Sequence, residues 1–106
     1  MTVSENIIIG DSIAHKAGEI VEAVRLGKSA SPLFWYGITS APEKENLMYI
    51  ASSIELNRPC YRSDSYALWA LAGSRKEALA IVLELVEKGY TTGNIHHMKD
   101  YLEMIL

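Results

Sequence analysis

SYALWALAGSRKEALAIVLEL, residues 65–85, decides how the rest of this 106-residue chain is read. Gly73 separates two apolar runs. Behind it, Ser74 and Glu77 form an S-x-x-E capping box, in which each side chain can satisfy a free backbone N–H at a helix start. Ala78, Ile81, Val82 and Leu85 then recur at helical spacing, predicting a helix over 75–88 that stops at Gly89. Ahead of Gly73, SYALWALA is rich in Ala and Leu and follows Asp64, a residue suited to capping, so it too reads as a helix. Two helices across a tight turn make a helical hairpin.

Working outward from that hairpin extends the helical reading in both directions. After Thr91-Thr92-Gly93, a last helix from about Asn94 places Ile95, Met98, Leu102 and Ile105 on one face. Upstream, Ser40 and Glu43 form a second S-x-x-E box, opening a helix over about 42–56 whose inner face is Leu47, Ile50, Ala51 and Ile54. Asn57-Arg58-Pro59 ends it, because proline removes a donor and restrains the residue before it. Ser31-Pro32 reads as a cap followed by proline at the first helical position, opening the short apolar segment PLFWYGI. Residues 12–26 carry Ile13, Ala17, Ile20, Val21 and Val24 on one stripe with Glu19, Glu22 and Arg25 off it, and Gly27 stops them. NIIIG, residues 6–10, is the one serious strand candidate; it also fits an earlier helical turn interrupted at Gly10, and helix is the favoured reading. The expected fold is all-α, with about six short antiparallel helices in a helical-hairpin array or small bundle. No linker or low-complexity tract divides it, so residues 1–106 are expected to form a single domain.

Composition narrows the function. Hydrophobic residues make up 49% and charged residues 22%, the balance of a chain that folds. Ten Lys and Arg against thirteen Asp and Glu leave a net charge of −3, and the basic residues form no stripe, so nucleic acid is not an expected partner. Cys60 is the single cysteine; it has no intramolecular disulfide partner, which suits a reducing compartment and predicts a cytoplasmic protein. No apolar run approaches the roughly 20 residues of a membrane span, and Met1 to Asn6 lacks the character of a signal peptide.

AGSRKEALAIVLEL, residues 72–85, resembles the turn and second helix of a tetratricopeptide repeat, with Gly73, Glu77, Ala78 and Leu79 at the matching relative positions and Trp69 where the first helix carries an aromatic. The two capping boxes also lie 34 positions apart, the spacing of that repeat. HKAGEIVEAVRL at 15–26 and ASSIELNRPCY at 51–61 are similar to segments of the small helical co-chaperones of type III secretion, which are built on it. The resemblance implies a protein that holds a helical client, with no cofactor.

Several motifs point toward other chemistry. IIIGDSI, residues 7–13, resembles the nucleophile block of GDS-type esterases, in which Ser12 would attack an acyl carbon with a histidine as base. Such a site needs an Asp-x-x-His pair, which this sequence lacks, so Asp11 and Ser12 are expected to cap a helix instead. The same GDSI looks like the attachment site of acyl carrier proteins, but too little chain precedes it for that family's first helix. His96 and His97 are adjacent and point about 100° apart on a helix, so they are not expected to share a metal; His15 and Cys60 read as ordinary structural residues.

Phe34, Trp35 and Tyr36 are consecutive, so on a helix at least one must turn from the core. Met48 likewise falls about 100° from Leu47 on the expected 42–56 helix. Phe34, Trp35, Tyr36, Met48 and Tyr49 are therefore the expected partner-binding residues, since interface centres are enriched in aromatic residues and Met. The expected function is a non-enzymatic protein-binding module that takes an amphipathic helix of its partner. A phage- or toxin-related inhibitor or immunity protein, and an acyl hydrolase using Ser12, are the alternatives.

Overall fold

The structure, a computed structural model, describes residues 1–27, 34–42, 47–56, 58, 61 and 65–106. It is an α/β fold and not an all-α one. Four strands, β1 (Thr2–Ile9), β2 (Tyr36–Ser40), β3 (Met48–Ser52) and β4 (Ala67–Ala72), form one sheet in the order β1-β4-β2-β3. β1 runs parallel to β4, whereas β2 is antiparallel to both β4 and β3. Asp11–Lys16 is a 3-10 turn leading into α1 (Ala17–Arg25); α2 (Ser53–Leu56) follows β3 directly; α3 (Arg75–Thr91) follows β4; and α4 (Met98–Ile105) ends the chain after a 3-10 turn at Ile95–His97.

The helices cover both faces of the sheet. On one face, Ile13, Ala17 and Ile20 pack on Leu68, Leu71, Ala51 and Trp35. On the other, Ala78, Ile81 and Leu85 of α3 and Leu102 of α4 pack on Ile38, Trp69, Ala70 and Ala72. β4 is a central strand and is buried from Leu68 to Ala72. That double coverage explains why SYALWALA misleads. A strand buried on both faces loses its polar alternation and reads as a continuous apolar run, which periodicity cannot tell from a buried helix. Its neighbours supply the β-geometry that its alanines do not favour locally. A bulge adds to the disguise: the register with β2 slips between Ile38 and Thr39, so Trp69 and Ala70 both join the α3–α4 side.

The same physics corrects the other helical expectations. PLFWYGI yields β2 in its described part, whose Gly37–Ser40 are buried. From Met48 to Leu56 the expected 42–56 helix is instead β3 followed by one helical turn. Ile50 lies on the α3–α4 side and Ala51 on the α1 side, and Ile54 is 69% exposed on α2, so the proposed inner face does not exist. NIIIG is strand, with Ile7 and Ile9 packed toward α1 and Ile8 toward α3.

The tetratricopeptide resemblance falls with the first helix of its hairpin, and the co-chaperone resemblance built on it falls too. Ser74 does cap α3, accepting from Glu77 N at 3.1 Å. Ser40 instead lies in β2 and accepts from Ala67 N at 2.9 Å, so the 34-residue spacing relates a strand position to a helix cap and is no repeat.

Where the helical reading stands, the ends behave as local chemistry dictates. Gly27 at φ +69° follows α1, and Gly93 at φ +79° follows α3, both in the left-handed region that glycine enters freely. Gly89 does not stop α3, which continues to Thr91; a Cβ there would run into Met98 Sδ, so this glycine lets α4 approach. Ser31-Pro32, Glu43, Asn57, Pro59, Cys60, Asp64 and the side chain of Ile95 lie outside the described residues.

Candidate functional site

β1 and β4 are adjacent and parallel, and the helices that follow them go to opposite faces of the sheet. In open α/β sheets, that arrangement leaves a crevice beyond the carboxyl ends of the strands, and it is where such folds bind ligands. Here the crevice is formed by Gly10-Asp11-Ser12 after β1 and Gly73-Ser74 after β4, with Gly10 N donating to Leu71 O at 2.8 Å across it. The Glu77 carboxylate fills it. Oε1 accepts from Ser12 Oγ at 2.6 Å and from Gly73 N at 2.8 Å, and Oε2 accepts from Ser12 N at 3.2 Å.

Three donors on one carboxylate stabilise its charged form. The Ser12 hydroxyl chiefly, and then the Gly73 amide, hold the Glu77 carboxyl below its ordinary value of 4.5, against a smaller opposing effect of burial and with help from the Ser12 amide. Two glycines make the contact feasible. A Cβ on Gly10 would run into Glu77 Oε1, and one on Gly73 would run into Ser12 Oγ.

Ser12 therefore does not cap a helix, as its sequence suggested. Gly10 stands at the start of the 3-10 turn, and no side chain caps either that turn or α1. The strand, tight turn and serine of the esterase-like block are present. However, the partner of Ser12 is a carboxylate whose basicity its own hydrogen bonds lower, and among the described residues no histidine bonds to it. Chemically, the arrangement ties the first βα turn to the second. In the sequence Glu77 belongs only to its own capping box; the local signals of a longer reach are Gly10, two residues before Ser12, and Gly73, directly before Ser74.

The expected partner-binding residues gather on or beside one hairpin, β2–β3, but not on one surface. Phe34 is 52% exposed and meets Tyr36 edge-on, with ring centroids 5.3 Å apart. Trp35 is 3% exposed and belongs to the core on the α1 side, where its Nε1 has no hydrogen-bond partner among the described residues. Tyr36 and Met48 are half-buried toward α3 and α4, at opposite ends of the β2–β3 ladder. Tyr49, by strand alternation, lies on the α1 side with Ala51, and its ring is 6.4 Å from Tyr66, which in turn is 4.9 Å from Tyr61.

That hairpin lies at one edge of the sheet, and the two edges differ. At the β1 edge the register with β4 shifts between Val3 and Ile8, and the C-terminus closes over the irregular part: Ser4 Oγ donates to Leu106 O at 2.8 Å and Asn6 Nδ2 to Ile105 O at 3.2 Å. Glu5 adds an exposed charge. Bulges, charges and covering segments are the usual protections of a sheet edge. β3, Met-Tyr-Ile-Ala-Ser, has no charge, no proline and no register shift against β2.

The direction of its free groups follows from one hydrogen bond. Ser53 N donates to Trp35 O at 2.8 Å, in line with the pairing of Tyr36 with Ser52. Antiparallel alternation then points the backbone groups of Tyr49 and Ala51 toward β2, and those of Met48, Ile50 and Ser52 away from the sheet. Among the described residues no neighbouring strand takes the outward groups of Met48 and Ile50, whereas Ser52 caps α2, its Oγ accepting from Glu55 N at 3.3 Å and its C=O accepting the first bond of that helical turn.

The fold and these features define a small α/β domain with a mixed sheet, a crevice occupied by a carboxylate and, among the described residues, one edge that no strand covers. Compared with protein families, curated proteins and solved structures, the chain shows no match to any of them. Among the described residues, no helix is long and apolar enough to cross a membrane, and no group of three His, Cys, Asp or Glu side chains is placed to hold a metal ion.

Proposed function

We propose that this protein is a non-enzymatic binding module for another protein, and that it takes an extended segment of its partner along the β3 edge. The observation that carries the reading is the contrast between the edges. One is bulged, charged and tied down by the C-terminus; the other, among the described residues, presents the backbone groups of Met48 and Ile50 unpaired by any strand, with apolar side chains in regular register. Strand addition draws affinity from such main-chain groups and specificity from the alternating side chains beside them. Ile54, exposed on the helical turn that directly follows β3, adds apolar contact. The cytoplasm is the compartment proposed, because one cysteine in 106 residues suits a reducing environment.

The test is a selection of displayed random nonapeptides on the purified protein, followed by binding measurements with two variants. Ile50→Ala keeps the outward N–H; Ile50→Pro deletes it, and β2 does not use that N–H. Enriched peptides with alternating apolar residues that bind wild type and Ile50→Ala, but not folded Ile50→Pro, support strand addition. No enrichment, or equal binding to both variants, overturns it.

A further inference from the structure

We infer that the segment fitting this edge is β3 of a second copy of the chain, paired antiparallel about a two-fold axis at Ile50; this rests on the strand-addition reading above. The outward residues are Met48, Ile50 and Ser52. An axis at Ile50 sets Ile50 against Ile50 and each Met48 against the Ser52 of the other copy. Met48 and Ile50 direct both N–H and C=O across the new junction and Ser52 directs its N–H, giving about four hydrogen bonds. Moving the axis to Tyr49 or Ala51 leaves two paired outward positions in place of three. Moving it to Met48 or Ser52 shortens the ladder.

Side chains agree with that register on both faces. On the α1 side, the large Tyr49 meets the small Ala51 of the other copy. On the opposite side, Ile50 meets Ile50, a β-branched cross-strand contact of the kind that stabilises paired strands. Charge agrees as well. Two copies of a chain with net charge −3 repel weakly, but β3 carries no Asp, Glu, Lys, Arg or His, so no like charges stand opposite one another along the ladder at neutral pH. Because the strand is five residues long, the contact is small and its dimer concentration-dependent.

Sedimentation equilibrium on the full chain should show a mass rising with concentration from 11.8 kDa toward twice that value. Register is tested in a Cys60→Ser background. Paired Ile50 Cα atoms would lie about 5.5 Å apart, within disulfide reach. Ile50→Cys should therefore oxidise to a covalent dimer, whereas Tyr90→Cys, at a 65% exposed position on α3, should not. Equal cross-linking of the two, or a monomer up to the highest soluble concentration, overturns the inference. A monomer that still binds selected peptides in the proline-sensitive way removes self-pairing alone and leaves strand addition standing. A monomer that binds no peptide removes both.

Discussion

Replacing Glu77 by Ala removes the acceptor for three donors at once, Ser12 Oγ, Gly73 N and Ser12 N. A net intramolecular hydrogen bond is worth about 0.5–1.5 kcal/mol, more when one partner is charged. Around Glu77 the site is open enough for water to replace part of what is lost, so the low end of that range applies to each bond. The expected cost is about 1.5–2.5 kcal/mol, read by urea denaturation at neutral pH. Glu77→Gln keeps one acceptor oxygen and loses the charge, and should fall between wild type and Glu77→Ala. The pH dependence separates charge from shape. Because the folded-state carboxyl lies below its ordinary value of 4.5, the unfolded chain binds more protons in that region, and stability rises with pH there. The Glu77 contribution is thus fully present above about 4.5 and is lost as pH falls through the lower folded value. Wild type should lose more stability than Glu77→Gln between pH 6 and the acid limb. A cost for Glu77→Ala within about 0.5 kcal/mol of zero, the usual range for a surface change, or identical pH profiles for wild type and Glu77→Gln, would refute the idea that this carboxylate ties the two turns together.

Gly73→Ala should destabilise by about 1–3 kcal/mol by forcing Ser12 Oγ aside. Its cost should shrink in a Glu77→Ala background, a coupling that a double-mutant cycle measures. Trp35→Ala should cost about 3–5 kcal/mol in thermal or urea unfolding, since its ring is core and not an exposed anchor; a neutral result would put the ring outside. Leu85→Ala, with Leu85 at 4% exposure, should cost about 2–5 kcal/mol in the same assay. Ser12 should stay unlabelled by a serine-reactive phosphonate, detected by mass spectrometry, and stoichiometric labelling would revive the acyl hydrolase reading. Far-ultraviolet circular dichroism should show mixed helix and strand; a purely helical spectrum would contradict the sheet.

Elements whose signals are local were legible along the chain. α3 follows from the Ser74–Glu77 cap and the spacing of Ala78, Ile81 and Leu85, all three buried as the period requires. The amphipathic stripe of α1 and its stop at Gly27 are equally local, because a left-handed residue and a 3.6-residue period are properties of neighbours along the chain. The strands depend on pairing between distant segments. Leu68 to Ala72 become β4 because β1 and β2 pair with them on either side and helices cover both faces, and neither of the paired strands is a near neighbour in sequence. The candidate sites divide in the same way. The aromatic residues near position 35 were legible as a group, but strand alternation sends them to opposite faces. The bond from Ser12 to Glu77 spans 65 positions and exists only because parallel pairing of β1 with β4 brings two βα turns together.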